Sequence, residues 1–319
     1  MMRNRMNRIV LGALIPAAAA VACGPAFGQT QGTGQAIVTV LPKHDKEMAP
    51  NVTEQDLQQV KVNGKQVKVT SWQSLRSQQN PVELVILIDD AARSSLGRQL
   101  DDIQAFVRSL PPNVKAAIAY MENGRAVFAG PLSANHDQVL SALHLPAGVP
   151  GVDASPYFCL SDLAQKWPSQ DRDARREVVM VTDGIDYYYR RYDPEDPYVQ
   201  SAIKDSVRAG LVVYSIYWEN QGRMDRTLYG NDTGQNLLTE VDEATGGSNF
   251  WQGVGNPVSF QPYFDELTRR LQNQYEVSFN APVGGKPDVA SFKLKLTAPG
   301  ADVTAPQEVL LVPAGTAER

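Results

Sequence analysis

The stretch that most constrains the fold is residues 82–90, where seven mostly aliphatic residues run directly into Asp89 and Asp90. A continuous apolar run of this length is typical of a strand buried on both faces of a mostly parallel sheet. A similar pattern follows later in the chain, where the mostly apolar residues 177–182 lead into Asp183. Open α/β sheets bind their ligands outside the carboxyl ends of their strands. If the two strands are neighbours, Asp89 and Asp183 face one crevice.

The first 28 residues are predicted to be a signal peptide. Three arginines precede an apolar, Ala-rich segment that is too short to span a bilayer, and small residues then stand at Ala26 and Gly28. We therefore expect an exported protein, periplasmic or secreted. An alternative is a lipoprotein anchored to the membrane through Cys23, because residues 21–24 also resemble a lipoprotein box.

Composition restricts the partners of the mature chain. Without the arginines of residues 1–28, 27 basic residues remain against 35 acidic ones, a net charge of about −8. This balance argues against nucleic acid and anionic membrane surfaces as partners. Cys159 is the one cysteine inside the folded part, so no disulfide framework is expected.

The order of predicted elements indicates β structure on both sides of an α/β domain. Residues 29–34, rich in Gln, Gly and Thr, are expected to be a flexible tether. An Asn63-Gly64 hairpin makes residues 29–75 an N-terminal β segment. Alternating strands and helices over residues 82–274 predict a doubly wound α/β domain with an antiparallel edge hairpin at Asn123-Gly124. Within it, Ser155 is the predicted N-cap of a helix over residues 156–167, residues 219–234 are predicted to be a polar loop, and residues 249–251 a short strand. Residues 275–319 form a C-terminal β segment.

The two β segments are predicted to pack together as one small β-sandwich. Each has only about three strands, which is barely enough for independent stability. Their shared core is expected to contain Val38, Val40, Val60, Val62, Val67, Val69, Phe279, Phe292, Leu294, Leu296 and Leu310.

Four stretches in this order resemble a von Willebrand factor A (vWA) domain. They are the strand ending in Asp89, the Ala-Ser-Pro-Tyr of residues 154–157, the Val-Thr-Asp-Gly of residues 181–184 and the Ala-Thr-Gly-Gly of residues 244–247. With the preceding hairpin and the β tail, the chain is similar to the bacterial VWFA-related family of exported proteins over about residues 36–312. The resemblance implies a Rossmann-like α/β fold and protein–protein contact at the carboxyl edge of its sheet.

In vWA domains a divalent metal is held by an Asp-x-Ser-x-Ser motif, a Thr from a later loop and an Asp from the fourth strand. The resemblance carries these roles to Asp89, Ser155 and Asp183. Ala91 and Arg93 stand where the two serines belong. The implied metal-ion-dependent adhesion site is therefore degenerate, with no cofactor or a weakly bound Mg²⁺ or Mn²⁺.

The exact register and the role of Arg93 are open in the sequence. A motif that starts at Asp90 recovers Ser94 but loses a hydroxyl at Ala92. Arg93 is expected either to replace the metal by bridging the carboxylates with its planar guanidinium or to point to solvent.

The loop that follows Asp183 is a second candidate for partner binding, because Tyr and Arg dominate interface hot spots. Its tyrosines could instead cover the underside of the loop. The candidate residues, together with Arg93, are Tyr187, Tyr188, Tyr189, Arg190, Arg191 and Tyr192.

Enzyme classes find little support in the sequence. It has no Gly-x-Ser-x-Gly elbow and no zinc spacing, and its three histidines lie away from both carboxylate strands. A receiver domain would need an acid within residues 125–131, and none is present. The sequence favours a non-enzymatic, exported protein-binding module. The alternatives are a structural or assembly subunit of the envelope and, third, an unrecognised hydrolase using Asp89 and Asp183.

Overall fold

The computed structural model describes residues 30–44, 47–148, 155–186, 188–189, 192–219 and 228–315, except the side chains of Arg93, Leu228 and Tyr229. The described strands form two sheets, a five-stranded one within the α/β unit and an eight-stranded antiparallel one that we call the β unit. The predicted signal peptide and Cys23 lie outside the described residues. None of the described helices has both the length and the apolar character needed to cross a membrane.

The strands are β1 (Thr30–Pro42), β2 (Leu57–Val62), β3 (Lys65–Gln66), β4 (Lys68–Ser74), β5 (Val82–Asp89), β6 (Val114–Glu122), β7 (Arg125–Phe128), β8 (Arg175–Thr182), β9 (Leu211–Tyr217), β10 (Gln274–Val283), β11 (Asp288–Leu296), β12 (Ala301–Thr304) and β13 (Glu308–Pro313). The α-helices are α1 (Leu100–Ser109), α2 (His136–Ser141), α3 (Pro156–Gln165), α4 (Pro197–Ala209), α5 (Leu228–Thr245) and α6 (Gln261–Gln272).

The α/β unit has the doubly wound architecture that the sequence predicts. Its strand order is β7-β6-β5-β8-β9, with β5, β6, β8 and β9 parallel and β7 antiparallel at the edge. Every residue of β5 is buried, as expected for a central strand covered on both faces. Helices α1 and α6 cover one face of the sheet, and α3, α4 and α5 cover the other.

Both predicted Asn-Gly hairpins are confirmed. The φ angles are 48° at Asn63 and 74° at Gly64, and 48° at Asn123 and 72° at Gly124. Two consecutive positive φ values define the type I′ turn, whose twist matches that of the flanking strands.

The β unit joins both flanking segments, which confirms the predicted association. Its strand order is β3-β2-β11-β13-β1-β10-β4, with β12 pairing with β1. Only Val67 separates β3 from β4 in the chain, although these strands stand at opposite ends of the strand order. The sheet therefore curls around its core, where the rings of Phe279 and Phe292 stack at 5.3 Å.

The flexible tether predicted for residues 29–34 is wrong over the part that the structure describes. Strand β1 begins at Thr30 and runs beside β10 and β13. A Cβ atom at Gly34 would lie 2.6 Å from the ring of Phe279. The glycine is therefore explained by close packing in a strand rather than by flexibility.

The predicted core position of Leu310 is also wrong. Val309 and Leu311 are buried in the core of the β unit, whereas Leu310 packs against the α/β unit. Successive side chains of a strand point to opposite faces, so a register error of one residue reverses the assignment.

The chain between β9 and α6 also differs from the prediction. Residues 228–234 were expected to belong to a polar loop, but α5 begins at Leu228. The strand expected at residues 249–251 is reduced to one bridge between Ser215 and Asn249. Polar, Gly-containing residues carry little helical periodicity, so packing rather than pattern decides the start of α5.

Candidate functional site

Asp89 lies at the carboxyl edge of the sheet with both of its carboxylate oxygens engaged. The parallel register pairs Ile88 with Val181, which places Thr182 beside Asp89. The Thr182 hydroxyl donates to Asp89 Oδ2 at 2.7 Å, and the Ala91 amide donates to Oδ1 at 2.9 Å. Sequence reasoning missed Thr182 as a site residue, although aligning the two strand ends could have found it.

Asp183 follows Thr182 in a turn that is fixed from both sides. Its Oδ1 accepts a hydrogen bond from the Ile185 amide at 3.1 Å, and the side chain is buried. Gly184 has a φ of 67°, and a Cβ there would lie 2.5 Å from the carbonyl oxygen of Gly234 in α5. The Tyr157 hydroxyl donates to the Gly184 carbonyl at 2.7 Å. Helices α3 and α5 thus hold this turn in place.

Ser155 is the N-cap of α3, as predicted. Its hydroxyl oxygen accepts a hydrogen bond from the Tyr157 amide at 3.3 Å. The residue is fully buried. The hydroxyl also interacts with the Asp186 carboxylate, which lowers the pKa of Asp186 in opposition to the larger, raising effect of burial. The local role of Ser155 is therefore to begin a helix and hold a loop.

Three further buried acids near this edge were not identified from the sequence. Asp186 accepts a hydrogen bond from the Tyr188 amide at 2.8 Å, and Asp196 caps α4 through the Tyr198 amide at 2.8 Å. Asp242 accepts from the Ser215 hydroxyl, and burial raises its pKa well above the usual range. Of the three, Asp196 had a usable signal, because an Asp before Pro is a common helix start.

The residues at this edge do not fit the divalent metal that the resemblance implies. A hard cation needs several free oxygen ligands. Asp89 accepts a hydrogen bond at each oxygen and keeps lone pairs, but Ala91 and Arg93 offer no hydroxyl at the two serine positions of the motif. In the part of the chain that the structure describes, no group of three or more His, Cys, Asp or Glu residues is arranged to hold a metal. The Arg93 side chain lies outside the described residues, so its bridging role stays a prediction.

We expect calorimetry with Mg²⁺ and Mn²⁺ to show weak or absent binding by the native chain. The Ala91→Ser, Arg93→Ser double variant restores two hydroxyl ligands and removes one positive charge, so it should bind clearly. An Arg208→Ser variant, which removes an exposed arginine of α4, controls for the change in net charge. Tight binding by the native chain would contradict the poor fit of this donor set.

An exposed group of aromatic residues lies beside the buried acids. Phe158, Tyr188 and Tyr198, which we call the aromatic patch, have ring centroids 4.8–6.1 Å apart. The side chain of Tyr188 is 56% exposed and that of Tyr198 is 37% exposed. The patch therefore presents aromatic surface to solvent, although its rings also support one another.

The remaining tyrosines of the predicted partner-binding loop have mixed environments. Tyr189 and Tyr192 are exposed, and their hydroxyls donate to Asp193 at 3.3 Å and to Glu240 at 2.8 Å. The bond to Glu240 is the main reason for the raised pKa of Tyr192. The other predicted loop residues lie outside the described residues: Tyr187, Arg190 and Arg191.

The histidines have local structural contacts. A ring nitrogen of His136 lies 2.9 Å from the carbonyl of Val114, and the His144 ring stacks on Tyr120 at 4.2 Å. His44 follows β1 in the β unit. These positions do not pair an imidazole with Asp89 or Asp183 within the described residues.

No protein-family model matches the chain, and no curated protein matches it. Among solved structures, it is similar to an aerotolerance-related membrane protein from Bacteroides fragilis, with 15% identity, a TM-score of 0.43 and coverage of 60% of this chain and 98% of that chain. It is also similar to BatB from Bacteroides thetaiotaomicron, with 14% identity, a TM-score of 0.44 and coverage of 60% of this chain and 97% of that chain. A third similar structure is the ArnB paralog VWA2 from Sulfolobus acidocaldarius, with 10% identity, a TM-score of 0.40 and coverage of 89% of this chain and 76% of that chain. The assignment of a doubly wound α/β fold rests on the strand order of the α/β unit itself and on its antiparallel edge strand.

Proposed function

We propose that this protein is an exported, non-enzymatic protein-binding module that contacts its partner at the carboxyl edge of the five-stranded sheet. The observation that carries the proposal is the aromatic patch, in which Tyr188 and Tyr198 are exposed and Phe158 is half-buried. Tyrosine buries a large area at a low cost in side-chain entropy, which suits it to binding surfaces. The proposal requires no metal.

Other exposed apolar side chains lie at the same edge of the sheet. Val254 and Val258 are 78% and 95% exposed on the loop before α6, and Leu145 is exposed on the chain before α3. The loop of residues 257–258 accepts hydrogen bonds from Gln99 at the start of α1, so these side chains lie at the carboxyl edge, on the face of the sheet opposite the aromatic patch. Exposed apolar groups at one edge favour a protein partner.

The chemistry of the buried acids supports binding rather than catalysis. The carboxylates of Asp183, Asp186 and Asp196 accept hydrogen bonds from neighbouring backbone amides and thereby fix the segments that carry Tyr188 and Tyr198. Rigid supporting loops lower the ordering cost of association. A general acid or base would instead need a carboxylate that can reach a substrate.

The proposed location is outside the cytoplasm, in the periplasm or secreted, or anchored at a lipidated Cys23. The support is the basic, apolar and small-residue pattern of residues 1–28. The intact mass of the native protein should correspond to a chain that begins at Gln29 or at a lipidated Cys23. Recovery of a chain that still begins at Met1 in the cytosol would contradict export.

The binding surface is tested by a Tyr188→Ser, Tyr198→Ser double variant of the mature chain. We expect an envelope protein retained by the native chain to bind the variant at least about tenfold more weakly, because hot-spot aromatics each contribute about 2 kcal/mol or more. The retained protein is purified, and its affinity for each variant is measured by calorimetry.

Met48→Ser provides the matched control, since Met48 is 94% exposed but lies in the β unit, away from the aromatic patch. It should leave the affinity unchanged. Equal affinity for the native chain and the double variant would overturn the proposal. If affinity for the retained protein is lost only when residues of the β unit are changed, the alternative of a structural or assembly subunit is favoured.

A further inference from the structure

A second candidate site lies at the opposite end of the α/β unit, where it meets the β unit. A cavity of about 330 Å³ opens between the segment that leaves β4, the ends of α1 and α6, and the first residues of β5, β6 and β8. Its charged lining residues are Arg76 and Arg175, and no Asp or Glu lines it. Two arginines therefore line one cavity in a chain whose net charge is −5.

Both arginines have a buried N–H group without a partner among the described residues. Arg175 is 9% exposed; its Nη1 donates to the Leu271 carbonyl at 3.0 Å and to the Gln274 side chain, while its Nε has no acceptor. Arg76 donates from Nη2 to the Pro50 carbonyl at 2.7 Å, and its Nε is likewise buried without an acceptor. These two Nε atoms are enclosed by protein and do not reach the cavity. The donors open to a ligand are the terminal nitrogens Nη1 of Arg76 and Nη2 of Arg175, which make no hydrogen bond among the described residues.

The position of each guanidinium is fixed by the protein. The Arg76 guanidinium lies 5.0 Å from the centre of the Tyr275 ring, over its face. Arg175 lies at the first residue of the buried strand β8, and its amide donates to the Pro81 carbonyl at 3.0 Å. Planar, permanently charged guanidinium groups held in this way suit the paired oxygens of a carboxylate.

The nearest acid does not neutralise the cavity. Glu177 is buried behind Arg175 and does not line the cavity, and burial raises its pKa to about 7. It is therefore partly protonated at neutral pH. Burial also lowers the pKa of Arg175, which is the expected effect of an incompletely compensated buried cation.

The uncharged lining residues indicate what kind of group a ligand would place beside them. Leu75, Leu110, Pro111 and Leu271 give the cavity an apolar side. Asn113 donates from Nδ2 to the Asn80 carbonyl at 2.8 Å and has no partner for Oδ1 among the described residues. The cavity thus offers cationic donors at one part and apolar surface at another.

We propose that this cavity binds a small organic acid, whose carboxylate pairs with Arg76 and Arg175 and whose apolar part lies against the leucines. The ligand contacts both units, because Arg76 follows the last strand of the N-terminal segment and Arg175 begins a strand of the α/β sheet. The proposal is independent of the proposed partner-binding surface, which lies at the other end of the sheet.

The test uses benzoate as the probe on the full mature chain, with binding measured by calorimetry and by ligand-observed NMR. Benzamide is its neutral counterpart, and inorganic phosphate is an anion without an apolar part. We expect one benzoate site, no benzamide binding and weaker phosphate binding. Phosphate binding as tight as benzoate binding would overturn the organic acid as the ligand class.

Two variants locate the site. Arg76→Gln removes one partly exposed guanidinium, and Asn113→Asp adds a carboxylate to the lining. Each should weaken benzoate binding at least about tenfold, which corresponds to about 1.4 kcal/mol. Thermal melting confirms that each variant is folded, and a buried position such as Arg175 is left unchanged for that reason.

Arg208→Gln is the matched control, because this arginine is exposed on α4 and its loss changes the net charge equally. Benzoate affinity should be unchanged in this variant. The proposal is overturned if benzoate shows no binding up to roughly 50 mM, a concentration far above the millimolar Kd of a weak ligand. It is also overturned if Arg76→Gln retains the native affinity for benzoate, or if Arg208→Gln loses as much benzoate affinity as Arg76→Gln.

Discussion

Deletion of all residues after Pro282 is expected to unfold the whole β unit, including strands encoded near the start of the chain. The deletion removes β11, β12 and β13, which pair with β1 and β2. Phe292, Val309 and Leu311 leave the core with them. Three side chains at about 1.5–3 kcal/mol each are comparable with the whole stability of a domain, about 5–15 kcal/mol.

The measurement is amide hydrogen exchange over residues 36–72. The truncated chain should lose protection there, although none of those residues is deleted. A chain that ends at Pro313 provides the control, because it keeps every described strand and should keep protection. Unchanged protection after the longer deletion would show that the N-terminal strands fold independently of the C-terminal ones.

Replacement of Glu177 by Gln is expected to stabilise the protein at alkaline pH by about 3 kcal/mol, given that each pKa unit corresponds to about 1.4 kcal/mol. Glu177 is completely buried between Leu84 of β5 and Val212 of β9. Neither carboxylate oxygen has a hydrogen bond of ordinary geometry within the described residues, although Gln274 and Tyr214 lie close. Burial raises the pKa of Glu177 from 4.5 to about 7, and the charge of Arg175 opposes this only in part.

The direction of the pH dependence follows from proton binding. Between pH 4.5 and about 7 the native state holds a proton on Glu177 that the unfolded state releases. The contribution of Glu177 to the free energy of unfolding is therefore largest below pH 4.5. It decreases as the pH rises to about 7 and is constant above that pH. Gln resembles the protonated carboxyl group and removes this dependence.

The measurement is urea unfolding of the native chain and the Glu177→Gln variant across this pH range. The difference in free energy of unfolding should be near zero at acidic pH and reach its full value above neutrality. Glu54→Gln, at an exposed position, controls for the loss of one negative charge and should change stability little. A Glu177→Gln variant that is less stable than the native chain at alkaline pH would contradict the raised pKa.

The elements predicted best are those whose local sequence allows one outcome. The apolar run of β5 could be satisfied only by burial on both faces, and both Asn-Gly pairs supplied the positive φ angles of type I′ turns. The capping role of Ser155 followed from a serine directly before a proline at a helix start. In these cases the deciding interactions lie within a few residues of one another.

The candidate site could be predicted only in part. Asp89 and Asp183 were placed at one sheet edge by the position of their strands. Their hydrogen bonds could not be foreseen, because Thr182 reaches Asp89 only through the register between two strands that are far apart in the chain. That bond adds Thr182 to the site as a residue that no local pattern near Asp89 indicates.

By itself, the sequence determined that this chain contains a doubly wound α/β unit flanked by β segments, because hydrophobic period and turn chemistry are local properties. Only the tertiary structure decided that β1 starts at Thr30, that Leu310 faces the α/β unit and that Arg76 and Arg175 line one cavity. Each of these depends on strand pairing or packing between segments far apart in the chain. Such contacts are selected by the free energy of the whole fold, and no local pattern encodes them.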